Sequence, residues 1–216
     1  MRVSRLVFLL TLLSLGLASP SVALTTSHLS SDAQFLALAP VIAFVAEGRI
    51  GDRGGAATFE LDLGKETSAP ATQAQYDWQS AQTEPFTLAY ISGSGLVSFT
   101  LGGHTLQYVA SGTLTDIFVR TRAINDGSSV SVTDLVLDGT NVGDISSCNA
   151  LTGVDYLRIL GGGLADGFVL TGNAVLQWTG TAPTQSRLAF QIKVGTTDNS
   201  VGVQPVAWES VKALYR

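Results

Sequence analysis

Glu60 and Asp62 stand two residues apart in Ala57–Leu63, so a strand over these residues places both carboxylates on one face. Two acids held together on one face have the chemistry to flank and cleave a glycosidic bond. Alternation alone also makes them the wet face of a strand. Nucleophilic catalysis needs a base beside its nucleophile, and the histidines are His28 and His104 alone. His28 lies near the N-terminal end, where fraying is expected. His104 follows Gly102-Gly103, where it reads as an exposed strand start. Gly93-Ser94-Gly95 is not a nucleophile elbow, because residue 92 is Ser and no helical pattern follows. These residues predict a protein that is not an enzyme.

Metal and ligand chemistry is sparser still. Two distant histidines and one cysteine give no zinc spacing. Asp138, Asn141 and Asp144 put three oxygen side chains in one loop, which makes calcium the one cation the sequence allows. The loop lacks the closing Glu and flanking helices of the helical calcium loop, and Asp138-Gly139 is first of all a turn. No other cofactor is indicated. Among the three tryptophans, Trp78 sits in the polar stretch Tyr76-Asp77-Trp78-Gln79 and is the candidate exposed ring, with Tyr76 beside it. Trp178 fits a core or sheet-edge position. Arg120 and Arg122 share a strand face with Asp116 and Phe118; they either pair with acids of the fold or bind an anion. Cys148 lies in a loop-like stretch with no basic group near it in sequence to activate the thiol.

The elements that must position these residues are strands. In Ser186–Val194, Leu188, Phe190, Ile192 and Val194 point one way, and Arg187, Gln191 and Lys193 the other. Asp116–Ala123 and Ser129–Thr133 alternate in the same manner. Gly102-Gly103 separates Leu96–Leu101 from His104–Val109 at hairpin spacing. Ser92-Gly93-Ser94-Gly95, Asn125-Asp126-Gly127, Asp138-Gly139, Gly161-Gly162-Gly163 and Gly172-Asn173 supply further turns. About ten strands follow. The fold class is all-β, an antiparallel two-sheet, jelly-roll-like β-sandwich, with a short C-terminal helix at Ala207–Tyr215. Ser31–Ala39 has weak helical character, and Thr67–Gln75 reads as an exposed loop.

Arg2, Arg5, the apolar run Leu6–Leu17 and the small residues Ser21-Val22-Ala23 read as a signal peptide. The run is shorter than the about 20 residues of a membrane span. The expected organisation is a signal peptide (1–23), an N-terminal segment (24–41), a β-sandwich domain (42–195) and a C-terminal tail (196–216), with no membrane span in the mature chain. Loss of Arg2 and Arg5 takes the 12 basic residues to 10 against 17 acidic, a net charge of −7. Nucleic acid is therefore not an expected partner, since phosphate backbones want clustered Lys and Arg.

Several stretches resemble a known family. Tyr76-Asp77-Trp78, Glu84–Leu88, Asp116–Ala123, Asp134–Gly139, Asp155-Tyr156-Leu157, Gly167–Gly172 and Ser186–Gly195 resemble the bacterial choice-of-anchor W domain over roughly residues 42–195. Its most specific pieces here are Phe118-x-Arg120-x-Arg122 and Ala189–Lys193. The resemblance implies an exported domain and supplies no catalytic residues. Residues 196–216 contain neither the Pro-Glu-Pro motif nor the second apolar run that follow the domain in that family. Trp208…Lys212-x-Leu214-Tyr215-Arg216 is similar instead to short tails of other exported bacterial proteins. More distantly, Glu60-x-Asp62 resembles the acidic motif of jelly-roll glycosidases, but Gly64 and Lys65 stand where a third acid belongs.

The expectation is a secreted or extracytoplasmic, non-catalytic β-sandwich protein with a cell-surface, extracellular-matrix or envelope partner. Its alternatives are a carbohydrate-binding module stabilised by calcium, and a glycosidase using Glu60 and Asp62. Mass spectrometry of the exported protein is expected to find an N-terminus at Leu24; retention of Leu6–Leu17 in a membrane fraction would contradict that.

Overall fold

The computed structural model describes residues 23–51, 59–65 and 68–197. The expected signal peptide (1–23), except for its last residue, and the expected helix at Ala207–Tyr215 lie outside them. In chain order the elements are β1 (Thr25–Leu29), α1 (Asp32–Ala37), β2 (Val41–Arg49), β3 (Leu61–Lys65), β4 (Ser68–Ala74), β5 (Thr83–Ile91), β6 (Leu96–Leu101) and β7 (His104–Val109). They continue with β8 (Asp116–Ala123), β9 (Ser129–Leu137), β10 (Thr140–Asn141), β11 (Ser146–Asn149), β12 (Val154–Leu160), a 3-10 turn at Leu164–Asp166, β13 (Phe168–Gln177) and β14 (Leu188–Thr196).

The architecture is the expected all-β, antiparallel two-sheet sandwich. Sheet I runs β1-β12-β8-β14-β2-β3-β4, and sheet II runs β10-β9-β13-β5-β6-β7 with β11 paired to β9. Residues 24–41 contribute β1 to sheet I and α1 to its outer side. No helix among the described residues is long and apolar enough to cross a membrane.

Period-two patterning builds the core between the sheets. Leu188, Phe190, Ile192 and Val194 of β14 are fully buried there with Ile117 and Val119 of β8. Sheet II returns Phe86, Leu88, Val97, Phe99, Leu170 and Leu176. Phe190 lies at the centre, its ring 5.9 Å from Phe86, 6.5 Å from Phe99 and 6.3 Å from Trp78.

The outer face of sheet I is also covered, which alternation did not show. α1 starts at its N-cap Ser31, whose hydroxyl accepts the Gln34 N–H. The helix lays Phe35 onto β8 and β12, stacked on Tyr156 at 4.7 Å and edge-on to Phe118 at 5.1 Å. Lys193, expected on a wet face, is 3% exposed, with its ammonium 5.6 Å from the Phe35 ring.

Three other expectations change. Thr67–Gln75, expected as a loop, contains β4, an edge strand paired to β3 with Thr72 opposite Leu63. Pro70 is tolerated there because an edge strand has N–H positions that need no ladder partner. Gly172-Asn173, expected as a turn, lies inside β13 at a register shift against β9. A Cβ on Gly172 would stand 2.8 Å from Phe86 and 2.9 Å from Leu135, so the strand needs glycine there. Cys148 is not in a loop: it is buried in β11 opposite Val130, and burial pushes its thiol pKa up.

Phe190→Ala is expected to cost about 3–5 kcal/mol. Lys193→Ala is expected to exceed the about 0.5 kcal/mol typical of surface changes. Urea unfolding of both variants checks the assignment of core and cover.

Candidate functional site

After β4 the chain must leave sheet I and enter sheet II at β5, and it does so through residues 75–82. Trp78 anchors this crossing. It is 6% exposed, not the open platform its polar neighbours suggest. Its indole packs edge-on to Phe190 and Tyr76 and lies flush on Gly48, where a Cβ would collide with both Phe190 and Trp78. Tyr76, two residues earlier, is half-buried and lies flush on Gly102 of the β6–β7 turn. Its hydroxyl donates to Glu84 of β5. Burial first, then that hydrogen bond and the Glu84 charge, push the Tyr76 pKa up to about 12.

Against the Tyr76 ring lies an open cavity of about 510 Å3 lined by Glu60, Gln75, Tyr76, Asp77 and His104. His104 is exposed, as expected, and stands edge-on to Tyr76 at 6.2 Å. Glu60 accepts the Tyr76 N–H at 3.4 Å. Burial, together with the Asp77 charge, raises its pKa over the opposing pull of Arg49 and two backbone N–H groups. The Glu60–Asp62 pair is divided: Glu60 lines the cavity, whereas Asp62 stands in the sheet opposite Glu47 and Gln73. Beside Tyr76 two buried polar atoms, Trp78 Nε1 and Glu84 Oε1, have no partner among the described residues; Arg49 Nη2 and Asp62 Oδ1, on the outer face of sheet I, also have none. Such atoms are rare in a finished core. Glu84 was not singled out from sequence, although alternation with Phe86 and Leu88 points it inward.

The arginine stripe is not brought into this cavity. Cross-strand register lines up Tyr156, Arg120, Gln191, Glu47 and Asp62 on the outer face of sheet I. Arg120 donates to both Asp32 oxygens at 3.1 and 3.3 Å and lies over the Tyr156 ring. The Tyr156 hydroxyl also donates to Asp32 at 2.6 Å. Partial burial works to raise the Asp32 pKa, but Tyr156 and Arg120 outweigh it and hold the carboxyl low. Arg122 donates to the Ser186 carbonyl at 3.5 Å. A groove of about 390 Å3 remains beside α1, lined by Asp32, Phe35, Leu36, Arg120, Tyr156, Gln191 and Lys193. Glu47 accepts from Gln191 at 3.0 Å, and burial pushes its pKa up.

The expected calcium loop is built from hydrogen-bonded turns. Asp138 accepts the Val169 N–H, Asn141 accepts the Gly143 N–H, and Asp144 accepts the Ile145 N–H. No group of three or more His, Cys, Asp or Glu residues is arranged to hold a metal ion among the described residues. Compared with known proteins, the chain matches no protein-family model and no curated protein.

His28, expected to be frayed, is held in β1 opposite Leu157. Its Nδ1 lies 2.9 Å from Asp155 and its Nε2 3.2 Å from Asp144. Only the doubly protonated ring donates to both acids. Partial burial works to lower its pKa, but the two carboxylates outweigh it, and the value rises above 6.5. The stability from His28 is thus full below pH 6.5 and is lost as pH rises through the raised folded value. Between about pH 5.5 and pH 8, wild type is expected to lose melting temperature relative to His28→Gln; parallel profiles would remove His28 as the cause.

Proposed function

We propose that this chain is an exported, non-catalytic β-sandwich module of the bacterial surface or envelope, of the choice-of-anchor W kind, and that its Tyr76 cavity takes a glycan. The supporting observation is the juxtaposition of one fixed aromatic ring with Glu60, Asp77 and Gln75 around an open cavity of about 510 Å3. A pyranose offers an apolar face to a ring and hydroxyls to carboxylates, and hydrogen bonds to charged acceptors are the stronger kind. Export rests on the leader, and the resemblance supplies the surface setting. The net charge of −7 after loss of Arg2 and Arg5 fits a neutral or hydroxyl-rich partner better than a polyanion. A binding role is preferred to a glycosidase because Glu60 and Asp62 have different surroundings, and a glycosidase needs its two acids about one bond.

A glycan array followed by calorimetry tests this reading. Tyr76→Ala is expected to weaken binding at least about tenfold, and Glu60→Gln to weaken it less, with the strand spectrum unchanged. The reading is lost if no glycan is retained, or if Tyr76→Ala binds as well as wild type. Turnover of the bound glycan that Glu60→Gln abolishes would make the protein an enzyme instead.

A further inference from the structure

The two outer faces of the sandwich differ in charge. On sheet I, the strands β8, β14, β2, β3 and β12 present Asp116, Arg120, Arg122, Lys193, Glu47 and further charged side chains outward. On sheet II, the outward positions of β9, β13, β5, β6 and β7 are Ser, Thr, Val, Ala, Leu, Ile, Asn, Gln and Pro. Among the described residues of these five strands the one charged side chain not turned into the core is Asp134, where it accepts from Asn173 and Thr133, and exposed Asp138 follows at the end of β9 and accepts the Val169 N–H.

Register shows how regular this face is. Thr171, Thr87, Thr100 and Thr105 are successive cross-strand neighbours over four strands. The row of Val169, Ala89, Ser98 and Gln107 lies beside it. Beyond that, Ile91, Leu96 and Val109 form an apolar corner in which Ile91 is 57% and Val109 67% exposed.

We infer that this face is where a second copy of the chain docks, sheet II against sheet II. Charge selects the occupant. The whole chain carries net −5, so two copies repel, and they approach at least cost where neither presents charge. A two-fold contact must also be self-complementary. Rows of short β-branched side chains meet that need, because two such sheets pack face to face about 10 Å apart. A flat polysaccharide is the weaker fit: Phe86, Phe99 and Phe168 of sheet II are turned into the core, and no described outward position of these five strands is an aromatic ring. Area sets the strength. β5 has 9 residues, about 30 Å, and five strands span about 20–24 Å. That is about 600 Å2 per copy and about 1,200 Å2 per pair, the lower edge of specific interfaces, so the dimer is reversible.

Sedimentation of the full exported chain from about 1 to about 100 μM should show a monomer passing to a dimer. Thr87→Lys and Thr100→Lys, at partly exposed outward positions, should each weaken dimerisation at least about tenfold while leaving the strand spectrum intact. Leu151→Lys, at a residue 95% exposed in the β11–β12 turn, should leave it unchanged. A monomer at every concentration overturns the inference, as does a dimer indifferent to both lysines. A monomer that pellets with a neutral insoluble polysaccharide, and fails to as Thr87→Lys, would hand the face to that partner.

Discussion

The ring of Phe190 holds the molecule together. It comes from the middle of sheet I, packs on Phe86 and Phe99 of sheet II, and meets Trp78 of the crossing between them. One side chain thus couples both layers to the segment that carries the cavity. Its position demands glycine at residue 48 opposite it, since any Cβ there would enter the Phe190 ring. An aromatic of this size gains by burying its whole area, and the neighbouring strands are cut to fit it. Loss of this contact would loosen the core and the Tyr76 wall together.

Sheet I carries a second constraint, because α1 covers part of its outer face, over β8, β12 and β14. Its outward charges are therefore partly desolvated and must be matched within the fold. Asp116 is fully buried, yet it accepts from Arg158 at 2.7 Å, from the Thr115 hydroxyl at 2.6 Å and from the Thr197 N–H at 3.2 Å. This network joins β8, β12 and the end of β14. Asp32 serves Arg120 and Tyr156 in the same way and fixes α1 in place. Of the two arginines that look like an anion site, Arg120 is thus part of what keeps α1 on the sheet, and Arg122 donates to the Ser186 carbonyl.

Strands with clean alternation were legible from residue pattern: β14, β6 and the hairpin at Gly102-Gly103 stand where alternation and turn chemistry put them. β4 was not, because an edge strand of Ala, Thr and Gln has no apolar alternation to read. Alternation assigns Lys193 to the outer face correctly, but it is silent on whether a distant helix covers that face. The two acids beside His28 are 116 and 127 residues away, so no local signal marks them. Trp78 misled for a different reason. In a segment that crosses between sheets there is no period, and the polarity of Asp77 and Gln79 says nothing about where the indole points.

That crossing is also why the candidate site lies where it does. Within each sheet the backbone is committed to the ladder and the side chains to one face or the other. Between β4 and β5 neither commitment holds, and the chain is free to present groups to solvent from a fixed base. Trp78 supplies the base. Tyr76 is then held by Gly102 below its ring and Glu84 at its hydroxyl, so its ring needs no ordering when a ligand arrives. The buried Trp78 Nε1–H and Glu84 Oε1, without partners among the described residues, cost stability that an apolar pair would not. Sequences break local rules of this kind most often where function requires it. The rule is broken at the two side chains that touch Tyr76, which supports the proposed cavity site, and it is broken again at Arg49 Nη2 and Asp62 Oδ1 on the outer face of sheet I.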